Sequence, residues 1–228
     1  MRSAPSRRRT TLVVVALALA VVATACLPAA PASGRPGPIR KVAVIGDSLS
    51  FGLFGTTPGV DAPLRARLAA SGLSLSIDGG PGDTLQTPWP GHANWADLLQ
   101  RRIDQDDPDV VIIQSVLFPG SDDPANHDGY YRAAVRLLDI AQSRGAHVYF
   151  VHHHRPNNAV EYNAAEIAER LQAQAAASRG IGFIPLDWWL AHCRSPFAFD
   201  GWHLSGEGER CWADAANAAV NQLRNAVG

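Results

Sequence analysis

Lys41-Val-Ala-Val-Ile-Gly-Asp-Ser-Leu-Ser50 begins with an apolar run that stops at Gly46 and is followed by polar residues. A short, β-branched run without polar alternation predicts a strand that is buried on both faces. The glycine and the Asp47-Ser48 pair predict a tight turn at the carboxyl end of that strand. The segment after this turn can begin a helix.

Four further stretches have the composition of buried strands, and amphipathic stretches lie between them. The further strands are predicted at 73–77, 109–113, 147–151 and 181–184, and the helices at 61–71, 94–104, 127–144, 160–179 and 206–227. Strands that alternate with helices predict a parallel sheet with helices on both faces. The sequence therefore predicts one doubly wound α/β domain, with its site in the loops after the carboxyl ends of the strands.

The composition excludes two classes of protein. Apolar residues make up 46% of the chain and charged residues 18%, which predicts a packed core and excludes a disordered chain. The first 26 residues hold four arginines and no acid, so the remainder has 16 basic and 21 acidic residues. A mildly acidic domain is a poor match for phosphate groups, so we expect no nucleic-acid partner.

The N-terminus has the features of an export signal. Arg7–Arg9 precede an apolar run at 12–25 that ends in small residues, as in secretory signals. A membrane-spanning anchor is the alternative, but the run is shorter than the roughly 20 residues that such a helix needs. Ala23-Thr-Ala-Cys26 resembles a bacterial lipoprotein box with Ala in place of the usual Leu. We therefore expect residues 1–26 to be a signal, with lipidation of Cys26 and simple cleavage near Ala25 both open, and a protein that is secreted or lipid-anchored outside the cell membrane.

Two segments follow the signal. Residues 27–38 are rich in Ala, Pro and Gly without apolar periodicity, which is typical of a tether, so the folded domain is predicted at 39–228. Apart from Cys26, the chain has two cysteines, Cys193 and Cys211. An even pair in an oxidising compartment predicts a disulfide bond, with two buried free thiols as the alternative.

Three side chains in the predicted loops could together supply a serine nucleophile, the base that activates it and the acid that orients the base. Ser48, in a tight turn after the first strand, can expose its Oγ and leave its backbone N–H for an oxyanion. Asp200 and His203 are close enough in the chain for the carboxylate to fix the tautomer of the imidazole. A neutral imidazole can take the proton of the serine, and the imidazolium that forms needs a nearby anion. Ser, Asp and His in this chain order are compatible with a serine-hydrolase triad.

Three sequence blocks resemble those of one enzyme family. Gly46-Asp47-Ser48-Leu49 matches the first signature block of the GDSL or SGNH hydrolases, which are esterases, lipases, thioesterases and carbohydrate deacetylases. Gly79-Gly-Pro-Gly-Asp-Thr84 resembles their second block, and Asp200-Gly-Trp-His203 resembles their last one. The resemblance extends from residue 41 to about residue 212.

The resemblance implies a fold and a set of roles. The fold is a three-layer α/β/α, flavodoxin-like domain with a five-stranded parallel sheet. Ser48 is the implied nucleophile, His203 the general base and acid, and Asp200 the orienting carboxylate. The backbone N–H groups of Ser48 and Gly82 are the implied oxyanion hole. No metal ion and no organic cofactor is implied.

One block departs from the family pattern. The family has Gly-x-Asn-Asp after the third strand, and its Asn is the third oxyanion donor, whereas this chain has Leu117 or Phe118 near that place. An apolar side chain donates no hydrogen bond, and loss of one such donor costs about 3–4 kcal/mol of transition-state stabilisation. Three explanations stay open: Gln114 or Ser115 substitutes, an Asn such as Asn126 comes from a displaced loop, or hydrolysis is slow.

The functional expectation is an exported esterase that acts on a small-molecule, lipid or glycan ester. A cell-envelope O-acyltransferase and a catalytically weak module that binds glycan or lipid are the alternatives. The oligomeric state is not determined by the sequence.

A group of histidines and a group of tryptophans lie near the expected site residues. Three adjacent imidazoles, His152–His154, cannot all point one way from an extended chain, so we expect no metal site from this triplet alone. One of the three is expected to line the substrate cleft or to hydrogen-bond a loop. Trp188, Trp189 and Trp202 are expected to pack in the core, with a substrate-stacking platform as the alternative.

Overall fold

Five parallel strands form one sheet in the computed structural model, which describes residues 34–52, 59–80, 82, 84–86, 94–115, 120–152, 159–177 and 179–228. The strands are β1 (Lys41–Gly46), β2 (Ser74–Gly79), β3 (Val110–Gln114), β4 (His147–Val151) and β5 (Gly182–Ile184). Their order is β2-β1-β3-β4-β5, and every neighbouring pair is parallel. The prediction of a five-stranded parallel sheet is confirmed, and each strand lies within two residues of its predicted bounds.

Seven α-helices connect or flank these strands within the described ranges. They are α1 (Ser48–Phe51), α2 (Asp61–Ala70), α3 (Trp95–Asp106), α4 (His127–Gln142), α5 (Ala159–Ala176), α6 (Leu186–Ala191) and α7 (Gly206–Val227), with a 3-10 turn at Pro124–Asn126. The five long helices agree with the prediction. Helix α6 was not predicted, because six residues are too few to show a helical period. None of the described helices is both long and apolar enough to cross a membrane.

The helices pack in two layers, one on each face of the sheet. Alternate residues of β1 show this division: Val42 and Val44 lie in one core with residues of α2 and α7, whereas Ala43 and Ile45 lie in another with residues of α3, α4 and α5. The sheet is therefore covered on both faces, and the three-layer α/β/α architecture is confirmed. Because β2 and β3 lie on opposite sides of β1, the strand order reverses there, and such a switch point opens a crevice at the carboxyl ends of the strands.

Two glycines allow the chain to turn tightly at this switch point. A Cβ on Gly46, the last residue of β1, would collide with the side chain of Ser50, so the first turn of α1 lies directly over the end of the strand. A Cβ on Gly79, at the end of β2, would collide with the carbonyl oxygen of Gly46, and the φ of Gly79 is +113°. The close approach of these strand ends depends on the missing side chains.

At the other end of the strands, where β1, β3 and β4 begin, Arg35 attaches the N-terminal part of the described chain to the domain. One guanidinium nitrogen of Arg35 lies 2.9 and 3.0 Å from the two carboxylate oxygens of Asp107, and the other lies 2.7 Å from Asp109. The backbone N–H of Arg35 donates to the carbonyl of Gly145 at 2.6 Å. Although the sequence suggested a folded domain from about residue 39, ordered packing thus includes Arg35.

Asp109 is the centre of these contacts. Besides Arg35, its carboxylate accepts the backbone N–H groups of Arg40 and Lys41 at 2.7 and 3.0 Å. Burial raises the pKa of Asp109, but the bonds from Arg35 and the two backbone N–H groups outweigh it, so this pKa lies below its ordinary value of 3.8. A lowered pKa means that the ionised carboxylate stabilises the fold above pH 3.8, and that this stability is lost as the pH falls through the folded-state pKa.

We expect Asp109→Asn to lower the free energy of unfolding at pH 7 by about 1–3 kcal/mol, because charged hydrogen bonds are lost from a partly buried site. The deficit should shrink at about pH 3, where the wild-type carboxylate is also losing its charge. Urea unfolding at both pH values measures it. Asp128→Asn, which breaks an exposed ion pair with Arg132, is the control and should change stability by less than about 0.5 kcal/mol. An undiminished deficit at low pH would contradict the assignment.

Candidate active site

Ser48 is placed by a helix cap at the end of β1. The side chain of Asp47 accepts the backbone N–H of Leu49 at 3.0 Å, and this bond starts α1 at Ser48. Asp47 is fully buried, and Ser48 is only 4% exposed. The serine therefore lies at the carboxyl edge of the sheet, on a backbone that its neighbours hold firmly.

Asp200 and His203 lie on a short hairpin before α7. Phe197 and Leu204 form an isolated antiparallel bridge, and the N–H of Ala198 donates to the carbonyl of His203 at 2.8 Å. Within the turn, one oxygen of Asp200, Oδ1, accepts the backbone N–H groups of Trp202 and His203, both at 3.0 Å. These two bonds leave the other carboxylate oxygen, Oδ2, to face the imidazole.

The three side chains form one chain of hydrogen bonds. His203 Nε2 lies 3.0 Å from Ser48 Oγ, and His203 Nδ1 lies 2.7 Å from Asp200 Oδ2. Because an ionised carboxylate only accepts hydrogen bonds, the proton of a neutral His203 lies on Nδ1, and Nε2 can accept the hydroxyl proton of Ser48. The structure thus brings together the three residues that the sequence singled out, with 155 positions between the serine and the histidine.

The electrostatics of Asp200 favour this arrangement. Partial burial raises the pKa of Asp200, but the bond from His203 and the two backbone N–H groups outweigh that effect, so the pKa lies below 3.8. The carboxylate is therefore ionised at neutral pH. It can hold the imidazole in one tautomer and stabilise the imidazolium when a proton arrives.

A disulfide bond holds the base of the hairpin. Cys193, just after α6, is bonded to Cys211 in α7, with 6.8 Å between their Cα atoms. The predicted disulfide is therefore confirmed. Ser205 adds to it, because its N–H donates to the carbonyl of Pro196 at 2.9 Å and its Oγ caps the first N–H groups of α7. Since the bonded cysteines enclose Asp200 and His203, the disulfide restricts the loop that aims the imidazole.

We expect the double variant Cys193→Ser, Cys211→Ser to be less stable than the wild type by about 3 kcal/mol, as for other disulfide loops of this size. Thermal unfolding under non-reducing conditions measures the loss. Treatment with a reductant should lower the Tm of the wild type to about that of the variant and leave the variant unchanged. A wild-type Tm that does not respond to full reduction would contradict a stabilising role.

Solved structures with the same fold are numerous, whereas no protein-family model and no curated protein matches the chain. A protein from Slackia heliotrinireducens described as an SGNH hydrolase is 18% identical, with a TM-score of 0.62 over 80% of this chain and 99% of that one. The esterase EstA from Pseudoalteromonas is 15% identical, with a TM-score of 0.62 over 82% of this chain and 99% of its own. The family 3 carbohydrate esterase from Clostridium thermocellum is 20% identical, with a TM-score of 0.59 over 83% of this chain and all of its own.

The chain has the SGNH-hydrolase fold. At these identities the likeness establishes the architecture, and the resemblance found in the sequence blocks is confirmed at that level. The roles of individual residues rest on the geometry of this chain.

Gly82 lies on the second loop of the SGNH fold, three residues after β2. Its φ is +81°, a left-handed conformation that favours glycine over any residue with a side chain. Because Gly46 and Gly79 are paired at the ends of β1 and β2, Gly82 and Ser48 follow neighbouring strands at the same edge. The N–H of Ser48, in the first turn of α1, has no acceptor within its own helix.

The three candidates for the missing oxyanion donor differ in what they already bond. Asn126 donates its Nδ2 to the carbonyl of Gly120 at 2.9 Å, which commits it to its own loop. Ser115 is buried, with its Oγ 3.5 Å from the hydroxyl of Tyr130. Gln114 is also fully buried, and its Oε1 accepts the indole N–H of Trp212 at 2.7 Å.

The side-chain NH₂ group of Gln114 is available as a hydrogen-bond donor. Because an indole N–H only donates, Trp212 fixes which end of the amide faces it, and the NH₂ group of Gln114 must point the other way. That nitrogen is buried and has no hydrogen-bond partner within the described ranges. Leu117 and Phe118 lie outside the described residues.

Sequence reasoning did not find the polar network behind the third strand. Gln172 in α5 donates to the carbonyl of Ser115 at 2.9 Å and to the hydroxyl of Tyr130 at 2.8 Å. Burial raises the pKa of Tyr130 to about 12, and the carboxylate of Asp47 adds to the effect. The network fixes the backbone where β3 ends. Gln172 and Tyr130 lie at buried positions of α5 and α4, where the helical pattern predicts core residues and gives no sign of a polar network.

The histidine triplet contributes one described residue. The Nδ1 of His152 lies 3.6 Å from a carboxylate oxygen of Glu169, and its ring packs on Phe183 at a centroid distance of 4.7 Å. His153 and His154 lie outside the described residues. Across the part of the chain that is described, no three His, Cys, Asp or Glu side chains cluster as metal ligands do.

The aromatic residues near the hairpin divide into two groups. Trp202 is buried in the core beside α7, and Trp189 packs against that core. Trp188 is 38% exposed and Phe199, directly before Asp200, is 90% exposed. Core packing therefore accounts for two of the three tryptophans, whereas Trp188 and Phe199 present apolar rings to solvent.

Proposed function

We propose that this chain is an exported serine esterase that hydrolyses an acyl ester through an acyl-enzyme. The observation that carries the proposal is the hydrogen-bond chain Ser48–His203–Asp200 at the carboxyl edge of an SGNH-fold sheet. A buried serine beside an imidazole that a carboxylate orients is the arrangement needed to activate a hydroxyl nucleophile.

The acylation step uses the three side chains together. Ser48 Oγ attacks the carbonyl carbon of the ester while its proton passes to His203 Nε2, and Asp200 stabilises the imidazolium. When the tetrahedral intermediate collapses, the bond to the alcohol oxygen breaks, and that oxygen takes the proton from His203. The products of this half-reaction are a free alcohol and an acyl group on Ser48.

Deacylation repeats the sequence with water. His203 Nε2 takes a proton from a water molecule, and the oxygen of that water attacks the acyl carbon. Collapse of the second intermediate breaks the bond to Ser48 Oγ, which recovers the proton from His203. The acid is released, and the side chains return to their starting protonation states.

In both intermediates, the backbone N–H groups of Ser48 and Gly82 are assigned as the hydrogen-bond donors to the oxyanion. With Leu117 or Phe118 near the position of the family's Asn, the usual third donor is missing. One donor fewer costs about 3–4 kcal/mol where it has been measured, so we expect a slower enzyme than one with a complete oxyanion hole.

The substrate is proposed to be a short-chain, lipid or envelope O-acyl ester. The similar structures include a carbohydrate esterase and the esterase EstA, which supports ester chemistry in general. The signal-like residues 1–26 support export, and the Ala23–Cys26 sequence supports a lipid anchor on Cys26 with simple cleavage as the alternative.

Hydrolysis of p-nitrophenyl esters, from acetate upward in chain length, tests the proposal on the chain that begins at Cys26. A fluorophosphonate should also label the protein, with the adduct found on Ser48 by mass spectrometry. Labelling of Ser48 without release of acid would point to an acyl acceptor other than water. If Ser48 is not labelled and no ester is turned over, the chain is not a serine esterase.

A further inference from the structure

A groove lies beside the hairpin that carries Asp200 and His203. Its volume is about 610 Å³, and its walls are α6 and the chain that leads from the disulfide bond into the hairpin. We call it the Trp188 groove, and the side chains that line it include those of Asp187, Trp188, Leu190, Cys193, Pro196 and Phe197. A volume of this size is in the range of pockets that bind small molecules.

The groove lies at the same edge of the sheet as the candidate active site. Helix α6 follows the carboxyl end of β5, and the hairpin brings His203 to Ser48. Phe197, which lines the groove, is paired with Leu204, the residue after His203. Paired residues of antiparallel strands have Cα atoms about 4.5–5.5 Å apart, and neighbours along the chain about 3.8 Å, so the Cα atoms of Phe197 and His203 are at most about 9 Å apart.

Trp188 forms a fixed aromatic surface in this groove. Its ring meets that of Trp189 at 84°, with 5.6 Å between the centroids, and lies 4.4 Å from the ring of His192. The ring of His192 is fixed as well, because its Nδ1 lies 2.7 Å from the carbonyl oxygen of Trp188. Trp188 is nevertheless 38% exposed. A side chain that is already held in place loses little conformational entropy when a ligand packs on it.

The lining of the groove combines apolar surface with a carboxylate. Trp188, Leu190 and Phe197 supply the apolar surface, whereas Asp187 is exposed. A hydrocarbon chain in the groove would remove water from Asp187 without giving it a hydrogen bond, which is unfavourable. A sugar ring matches both features, because its C–H face packs on Trp188 and its hydroxyl groups can donate to the carboxylate. The charge of Asp187 also disfavours an acidic sugar.

The position of the groove suits a part of the substrate that is distant from the reacting ester. Phe197 and Leu204 both pack against the core, whereas His203, next to Leu204, faces Ser48. Since neighbouring residues of a strand point to opposite faces, the groove and the imidazole lie on different sides of the hairpin. A ligand with its ester at Ser48 must extend past the hairpin to enter the groove, which a chain of sugar rings can do and a short acyl group cannot.

We propose that the Trp188 groove binds neutral sugar rings of an extended carbohydrate whose O-acyl ester is placed at Ser48. Among the substrate classes above, this selects O-acyl groups on an envelope glycan. The binding of sugar depends on the groove, whereas the selection of substrate also rests on the proposed function.

Titration calorimetry tests the binding separately from catalysis. The probes are xylotetraose and chitotetraose, two neutral sugar tetramers, added to the chain that begins at Cys26, with dodecylphosphocholine below its critical micelle concentration as an apolar probe. We expect a tetramer to bind. Trp188→Ala should weaken this binding about tenfold, and Trp188→Phe, which keeps a ring, by less than about threefold. Asp187→Ala, which removes the acceptor for the sugar hydroxyls, should weaken it at least about threefold.

Arg132→Ala is the control, because it breaks an exposed ion pair with Asp128 on α4 and should leave the binding unchanged. Thermal unfolding shows which variants are folded. Binding of neither tetramer, or unchanged binding in a folded Trp188→Ala or Asp187→Ala protein, would overturn the proposal. It would also be overturned if Trp188→Ala abolished binding of the detergent or self-association of the wild type, because the groove would then hold a lipid or a second copy of the chain.

The substrate arm uses an O-acetylated form of the tetramer that binds. Trp188→Ala should raise its KM about tenfold, and Arg132→Ala should not change it. The loss should fall on KM and not on kcat, because the groove binds a part of the substrate that does not react. Equal KM values for the wild type and Trp188→Ala would overturn the selection of substrate. If the tetramer binds but no protein shows Ser48-dependent hydrolysis, the esterase is refuted and the sugar site stands.

Discussion

Ser48→Ala is expected to lower kcat/KM for p-nitrophenyl acetate by at least about a thousandfold, because it removes the hydroxyl oxygen that lies 3.0 Å from His203 Nε2 in the hydrogen-bond chain. The backbone N–H of residue 48 is retained, so any residual oxyanion stabilisation stays. The fluorophosphonate adduct should be absent as well. Initial rates and mass spectrometry on the same preparations measure both effects.

Ser50→Ala is the matched control for that variant. Ser50 lies in the same helix, is 1% exposed, and its Oγ makes no hydrogen bond with the described part of the chain. We expect its kcat/KM to stay within about threefold of the wild type, because no reacting group is lost. If Ser48→Ala keeps the wild-type rate while remaining folded, Ser48 is not the nucleophile.

Asp200→Asn is expected to lower kcat by about 10³–10⁴-fold while the fold is maintained. The two backbone N–H groups at Oδ1 need an acceptor, so the amide oxygen of the introduced side chain should stay there and its NH₂ should face His203 Nδ1. The imidazole would then carry its proton on Nε2. It could no longer accept the proton of Ser48.

The effect of Asp200→Asn should fall on kcat and leave the Tm within a few degrees of the wild type, which steady-state rates and thermal unfolding can separate. Asp122→Asn is the control, because Asp122 is an exposed carboxylate in the loop after β3. We expect no change in its kcat. A wild-type kcat in the Asp200→Asn protein would show that the carboxylate does not set the tautomer.

Much of the fold was predictable from local sequence. The apolar runs at 41–45 and 109–113 are strands because their side chains have no polar face to expose. Five long helices follow from periodicity, whereas α6 escaped because six residues show less than two turns of pattern. The disulfide was predicted from cysteine parity, and its function at the base of the hairpin became visible only in the structure.

The residues of the candidate site could be predicted more fully than the contacts between them. Ser48 could be assigned from the turn after β1, because the cap that starts its helix is local: Asp47 accepts the backbone N–H of Leu49, two residues further along the chain. Asp200 and His203 could be paired because they share one turn of chain. The third oxyanion donor could not be assigned, since Gln114, Ser115 and Asn126 are equivalent in a sequence and differ only in the groups that they meet in space.

Local sequence is enough to predict which residues form strands, which side chains are candidates for the chemistry, and that the two cysteines after Cys26 could pair. Only the folded chain shows which distant residues meet: His203 and Ser48 across 155 positions, Trp212 and Gln114 across 98, and Arg35 and Asp107 across 72. Local patterns arise from the period of a strand or helix and from caps a few residues away. Contacts between distant residues depend on how the two helix layers pack on the sheet, and no short stretch of sequence contains that information.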